Sequence, residues 1–235
     1  SLFIETDLNP IPLVRKSIFH LLKDVSNLII SPKKFFNRCI NFLKKKYYSF
    51  RKNHPPDILI LGGLAANKKV LTHLGSQVAK IKNKIFAHSM DYDVYLNFNS
   101  EPEKKNAYAV FLDEDMVFHS DYIFENVSSP DNQFQYYSVL IKFLKKFQAE
   151  TNLKIKFAAH PKSRNKNLQN LLQGIDYYIG DTPKLVKNSS AVLLHASTSI
   201  SYAILFKKPA IFLTSNNLKK SWMGPKIDNL AKIVN

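Results

Sequence analysis

The chain has 235 residues, of which 45% are hydrophobic, and it carries a formal net charge of +16 at pH 7. This composition fits one large globular domain or two small ones, and the single cysteine excludes a disulfide framework within the chain. No apolar run approaches the roughly 20 residues of a membrane span, and no secretory signal is visible near Ser1, so we expect a cytoplasmic protein.

A basic segment, residues 1–56, opens the chain. After an irregular start it contains two predicted amphipathic helices, and residues 13–52 hold eleven lysines and arginines against one acidic residue, a net charge of +10. Lysine-rich helices with Phe and Leu faces are typical of proteins that bind an anionic membrane surface, which is our first expectation. Two alternatives stay open: a helical pair that packs on the core with its lysines in solvent, and a nucleic-acid surface.

Residues 57–100 alternate between strand and helix patterns. We predict strands at Asp57–Leu61 and Lys84–His88 and a helix at Asn67–Ile81. Asp91–Leu96 is a further short element, in which alternation would place both aspartates on one face; the alternative is a hinge stabilised by caps and turns. The glycine pair after the first strand does not form GxGxxG, which excludes NAD binding. We interpret these residues as a partial N-terminal Rossmann-like domain.

Residues 101–235 continue the alternation, which predicts a parallel, doubly wound α/β domain. The predicted strands are at 107–112, 154–159, 177–179, 191–194 and 210–213. The predicted helices are at 134–148, 167–173 and 226–234, with one more that starts near residue 200.

The central feature of this domain is the stretch Leu185–Thr214, which we interpret as a strand, a hydroxyl-rich turn, a helix, a turn and a second strand. The hydroxyl side chains lie between the end of the buried strand and the start of the helix. Ser197, Thr198 and Ser199 follow the strand 191–194 and His195. Such a turn offers hydroxyls and backbone N–H groups at the place where open α/β sheets bind nucleotide phosphates.

Two further clusters follow predicted strands. His160, Lys162 and Arg164 can hold a phosphate or carboxylate through charge-assisted hydrogen bonds, the alternative being a loop with a chance histidine. In the cluster of Asp113, Glu114 and Asp115, one carboxylate can act as a general base. Magnesium or manganese would also suit these oxygens, and the alternative is a solvated turn.

Four motifs together resemble a bacterial family of surface-polysaccharide glycosyltransferases with the GT-B architecture. In chain order they are HSMDYDVYL from 88, AVFLDEDMVFHSDY from 109, FAAHPKSR from 157 and LLHASTSISYAILFKKPAIFLT from 193. More loosely, the motifs are similar to those of bacterial sialyltransferases and Kdo transferases, which use CMP-activated sugars. The resemblance covers residues 57–235 and implies a GT-B-like fold of two Rossmann-like domains. Residues 57–100 are too few to form the whole of the first domain.

The resemblance assigns roles to individual residues. It implies that His160 contacts the CMP phosphate and helps the nucleotide depart, and that the hydroxyl turn at 197–199 binds the same phosphate. It implies that Asp113 or Glu114 is the base or a carboxylate that lines the cleft, although the sialyltransferase pattern has a glycine where this chain has Asp115. The remaining nucleotide-binding candidates are Lys162, Arg164 and His195.

The resemblance also bears on the donor. Enzymes that use nucleoside diphosphate sugars often carry a ribose-binding glutamate near the phosphate helix, whereas residues 197–208 contain no acidic residue. A CMP-activated donor is therefore favoured over UDP- or GDP-sugars.

These observations predict an enzyme of capsule or lipopolysaccharide biosynthesis. It would be a glycosyltransferase, peripheral at the inner face of the cytoplasmic membrane, that uses a nucleotide-sugar donor and a glycan or glycolipid acceptor. We expect no tightly bound cofactor, assign no residue to a metal, and expect no nucleic-acid partner. The alternative is a non-catalytic, glycosyltransferase-like scaffold of a polysaccharide assembly complex.

Overall fold

The protein divides into two compact units, Ser1–Ser89 and Met90–Asn235. The structure, a computed structural model, describes residues 4–7, 40, 57–62, 81–99, 102, 107–119, 122, 128–163, 167–172 and 174–234. Except for residues 40 and 81, the two predicted basic helices and the predicted helix at 67–81 lie outside the described residues, as does Arg164.

The described part of the first unit is a parallel sheet in the order β1-β2-β3. Its strands are β1 (Ile4–Asp7), β2 (Ile58–Gly62) and β3 (Asn83–Ala87). The predictions of β2 and β3 are confirmed to within one residue at each end. The expected irregular start of the chain is wrong at β1, because this segment pairs in parallel with β2, a long-range backbone contact that local composition does not encode.

The second unit contains five strands and seven helices among the described residues. In chain order they are α1 (Met90–Asn99), β4 (Tyr108–Leu112), α2 (Gln133–Thr151), β5 (Lys154–Ala159), α3 (Leu168–Leu171), β6 (Asp176–Ile179), α4 (Thr182–Lys187), β7 (Ala191–Leu194), α5 (Ile200–Leu205), β8 (Ala210–Phe212), α6 (Asn216–Lys220) and α7 (Met223–Val234).

The five strands form one parallel sheet in the order β6-β5-β4-β7-β8. The first strand of the unit, β4, lies at the centre, and all five of its residues are buried. The chain builds outward on one side through β5 and β6, and then returns to add β7 and β8 on the other side. The predicted α/β architecture is therefore confirmed, and the sheet is compatible with a Rossmann-like fold. The order reverses between β4 and β7.

Helices cover both faces of this sheet. Tyr108 and Phe111 of β4 show this, because side chains alternate along a strand and these two therefore point to opposite faces. The hydroxyl of Tyr108 donates to the Leu185 carbonyl of α4 at 2.8 Å. On the opposite face, the ring of Phe111 lies 5.6 Å from that of His195, which in turn contacts Tyr136 of α2. The buried sheet is thus enclosed, and its carboxyl edge is the place where polar side chains can collect.

The element at Asp91–Leu96 is a helix and not the alternating segment that the sequence predicts. Asp91 and Asp93 are about 200° apart around α1, so they do not share a face. The Ser201 hydroxyl donates to the Asp91 carboxylate at 2.5 Å, and the buried Lys187 ammonium donates to the Phe98 carbonyl near the end of α1. These contacts with α4 and α5 make α1 part of the second unit.

Two short helices, α4 and α6, were not predicted, although the short helices α3 and α5 were, because five or six residues give only a weak hydrophobic period. Local signals do mark them, because Pro183 lies in the first turn of α4 and the Ser215 hydroxyl accepts from the Leu218 N–H in α6. None of the helices described by the structure has both the length and the apolar character that crossing a membrane requires.

Candidate functional site

The carboxyl ends of β4, β5 and β7 bring three predicted motifs together. Leu112 pairs with Leu194 on β7 and with Ala158 on β5, so the residues that follow these strands leave the sheet side by side. They are Asp113 and Glu114 after β4, His160 after β5, and His195 after β7. This edge flanks the point where the strand order reverses, the usual ligand position in open α/β sheets.

Glu114 links the ends of β4 and β7. Its Oε1 atom accepts a hydrogen bond of 2.5 Å from the Ala196 N–H, and both residues are buried. Burial raises the pKa of Glu114 to about 7, and this rise is opposed by the Ala196 N–H and by the positive charge of Lys226. Lys226, in the first turn of α7, is a cation near the site that no sequence motif revealed, because it comes from the far end of the chain.

Asp113 links the ends of β4 and β5. Its Oδ2 atom accepts from the His160 N–H at 3.3 Å, while Oδ1 is buried without a hydrogen-bond partner among the described residues. Burial, together with the negative charge of Asp115, raises the pKa of Asp113 to about 7 despite the backbone N–H groups that bond to it. A carboxylate with a pKa near the working pH is well matched to general base catalysis.

His160 presents a neutral hydrogen-bond donor at the same edge. Its Nδ1 atom accepts from the Lys162 N–H at 3.2 Å, which places the ring proton on Nε2 in the neutral form. Partial burial lowers the pKa of His160, and the positive charges of His119 and Lys162 lower it further against the opposing effect of Asp115. The Lys162 side chain is exposed, and Arg164, predicted to act beside it, lies outside the described residues.

His195 is buried, and both of its ring nitrogens are used within the protein. Nδ1 bonds to the Leu213 carbonyl at 2.8 Å, so Nε2 accepts from the hydroxyl of Tyr136 at 3.0 Å. Burial lowers the pKa of His195 to about 4, so the ring is neutral. His195 therefore holds the ends of β7 and β8 to α2, and a ligand would have to displace one of these hydrogen bonds to bind the ring.

The hydroxyl turn at 197–199 is present, but most of its nearby backbone donors are occupied. The N–H groups of Ile200, Ser201 and Tyr202 bond to the carbonyls three residues earlier, and the Ser199 N–H lies 3.4 Å from the Ser197 hydroxyl. Ser199 precedes α5 in a helical conformation, with no side-chain capping bond. If this turn binds a ligand, most of its hydrogen bonds to that ligand would therefore come from its hydroxyl groups.

Asp115 occupies a backbone conformation that favours glycine. Its φ angle is +51°, in the left-handed region that L residues rarely adopt, although aspartate tolerates it better than most. This is the position at which the sialyltransferase pattern has glycine and this chain does not. Asp115 thus adopts a backbone conformation of the kind that glycine provides most readily.

Substitution of Asp115 tests this account of the turn. We expect Asp115→Gly to unfold at a temperature no lower than the unchanged protein, whereas Asp115→Val should lose about 1–2 kcal/mol through left-handed strain. Thermal unfolding measured by circular dichroism distinguishes the two. Equal losses in both variants would show that the side chain of Asp115, and not its backbone angle, matters for stability.

Among the described residues, no group of three or more His, Cys, Asp or Glu side chains could hold a metal ion. No model of a known protein family matches the chain, and no curated protein sequence matches it. What the site can do therefore follows from its own geometry and chemistry.

Proposed function

We propose that the protein is a glycosyltransferase of GT-B type, which moves a sialic-acid-like or Kdo-like sugar from a CMP-activated donor to a surface glycan or glycolipid. One observation carries this proposal. Asp113, with a pKa near 7 and an unpartnered buried oxygen, lies where the strand order reverses, beside the neutral donor His160 and across from the hydroxyl turn. A general base, a hydrogen-bond donor for phosphate and several hydroxyl groups lie at one edge of the sheet. Such a set suits the transfer of a sugar from a phosphate leaving group.

In the proposed reaction, the oxygen of an acceptor hydroxyl attacks the anomeric carbon of the donor sugar. The bond between that carbon and the CMP phosphate oxygen breaks, and CMP leaves with the electron pair. Asp113 takes the proton of the acceptor hydroxyl, which requires its ionised form. The His160 Nε2–H and the hydroxyls at 197–199 would hydrogen-bond the phosphate as its charge develops, which stabilises the leaving group.

The choice of CMP depends on the absence of a carboxylate from the turn and helix that would hold the nucleotide. Residues 197–208 contain no acidic side chain, so this segment has no ribose-binding glutamate of the kind that nucleoside diphosphate sugar enzymes often carry. The basic segment at residues 13–52, with a net charge of +10, would hold the enzyme against the anionic inner face of the membrane, near a lipid-linked acceptor.

Calorimetric titration with CMP, UDP, GDP and AMP tests the proposal. We expect CMP to bind most tightly, and His160→Ala to weaken it by about tenfold or more because a hydrogen bond to a charged phosphate is lost. Lys142→Ala, which removes an exposed positive charge on α2, should leave the affinity unchanged and so controls for general attraction to a basic chain.

Each other outcome of the titration points elsewhere. Tighter binding of UDP or GDP would retain the transferase and overturn the CMP donor. No nucleotide binding at all, with or without divalent metal, would overturn the transferase and favour the non-catalytic scaffold.

A further inference from the structure

A groove of about 630 Å³ lies between α2, the end of β8 and the start of α6. This volume is within the ~300–1,000 Å³ typical of small-molecule sites. The groove meets the carboxyl edge of the sheet at His195 and at the end of β8, and Tyr136 of α2 forms part of its wall, but none of Asp113, Glu114, His160 or the hydroxyl turn lines it. It is therefore a separate feature from the nucleotide site proposed above.

One side of the groove is apolar. Val139 and Phe143 lie one turn apart on α2 and are unusually exposed for large hydrophobic residues, at 58% and 39%. Phe212 and Leu213, from the end of β8, line the groove with them. A ligand with at least one apolar face would cover surface that water now contacts.

Most of the remaining lining is polar and almost without charge. The polar side chains are Asp131, Gln135, Thr214, Ser215, Asn216 and Asn217. Since His195 is neutral, Asp131 is the only one of the lining residues that carries a full charge, although the chain has 34 lysines and arginines. An anionic ligand would meet a carboxylate here and no cation, so phosphates and carboxylates are disfavoured.

Several of these polar groups retain hydrogen-bonding capacity. The side-chain amide of Asn217 donates to the Asp131 carboxylate at 3.2 Å, and the side-chain oxygen of Gln135 accepts from Asn132 at 3.3 Å. The side-chain oxygen of Asn217 and the amide NH₂ of Gln135 therefore remain for a ligand. Thr214 and Asn216 make no side-chain hydrogen bond with other described residues. The groove thus offers donors and acceptors together, and a hydroxyl group can satisfy both at once.

We propose that this groove binds an uncharged carbohydrate, with an apolar face of the sugar ring on Phe143 and Val139 and its hydroxyls on the amides of Gln135, Asn216 and Asn217. A hydrocarbon chain would leave the amides unpaired, and an anion would oppose Asp131. Binding of such a sugar does not depend on the proposed transferase activity. If that activity holds, the sugar bound here would be part of the glycan acceptor, and this assignment rests on the proposed function.

Saturation-transfer NMR on the whole chain tests the site, with methyl glycosides of glucose, galactose and N-acetylglucosamine as probes and no nucleotide present. We expect at least one glycoside to bind, and both Phe143→Ala and Asn216→Ala to weaken that binding by about tenfold. Phe134→Ala is the matched control, because Phe134 is on the same helix, is 77% exposed and lies outside the groove.

The outcomes separate this inference from the proposed function. Sugar binding that depends on Phe143 and Asn216, in a protein that binds no nucleotide, would uphold the carbohydrate site and overturn the transferase. Nucleotide binding without glycoside binding, or glycoside binding that neither substitution weakens, would overturn the carbohydrate site. Preferential binding of cytidine or adenosine to the groove would also overturn it, in favour of a nucleoside.

Discussion

Replacement of Asp113 by Asn is expected to reduce sugar transfer by about 10²–10⁴-fold, the contribution that a general base commonly makes. Asparagine keeps an acceptor for the His160 N–H, so the geometry of the strand ends and the affinity for CMP should persist. Because the base must be ionised, the transfer rate of the unchanged protein should rise with pH and level off above the pKa of about 7. Release of CMP from a CMP-activated sugar, measured between pH 5 and 9, provides both results.

The same variant should be more stable than the unchanged protein at alkaline pH. Burial raises the pKa of Asp113 from 3.8 to about 7, so between these values the folded state retains a proton that the unfolded state has released. Stability therefore falls as pH rises through this range, and the loss is complete above pH 7. Asp113→Asn lacks this loss, and its advantage in the free energy of unfolding should grow from pH 4 to pH 7 and then stay constant.

Asp176→Asn serves as the control, because Asp176 is exposed at the opposite edge of the sheet, where β6 begins. It should change neither the transfer rate nor the pH dependence of stability. An Asp113→Asn protein that transfers sugar at the original rate would refute the assignment of the base, whatever its stability.

Replacement of Glu114 by Ala should both destabilise the protein and weaken CMP binding. The Ala196 N–H is buried and would lose its hydrogen bond to Glu114 Oε1, which costs about 1–3 kcal/mol. The hydroxyl turn begins at the next residue, so its position should loosen as well. Chemical denaturation and the calorimetric titration measure the two effects.

Glu114→Gln separates the hydrogen bond from the charge. Its amide oxygen can still accept from the Ala196 N–H, so most of the stability and of the CMP affinity should return. A Gln variant as unstable as the Ala variant would indicate that the negative charge, held near Lys226, is what stabilises this edge.

The elements of the second unit that could be predicted are those with a strong local signal. The bounds of β5 and β7 were predicted without error, because β7 is a short apolar run, β5 alternates lysines with apolar residues before ending in three apolar ones, and a histidine follows each strand. The long helix α2 was predicted to within three residues, since its buried side chains recur at helical spacing. The helix α1 was mistaken for an alternating element because its stability depends on contacts with α4 and α5, which are distant in sequence.

The motifs of the site were located from the sequence, but their relations to one another were not. Asp113, His160 and the hydroxyl turn could be placed at strand ends from local pattern alone. That Asp113 bonds the His160 backbone, and that His195 is engaged on both sides, depends on which strands are neighbours in the sheet. Lys226 and the groove beside α2 have no sequence signature, because each is assembled from side chains that only tertiary packing brings together.

The central position of β4 has a consequence for the order in which the protein folds. The unit β4–α2–β5 is contiguous in the chain, whereas the link from Glu114 to Ala196 closes a loop of 82 residues. Loop closure over that length is entropically costly, so the pairing of β7 with β4 should follow the formation of the β4–α2–β5 nucleus. A nascent chain that has emerged only as far as β6 would already contain Asp113 and His160, yet it would lack the strand that completes their surroundings. The site therefore comes into existence late in synthesis and folding.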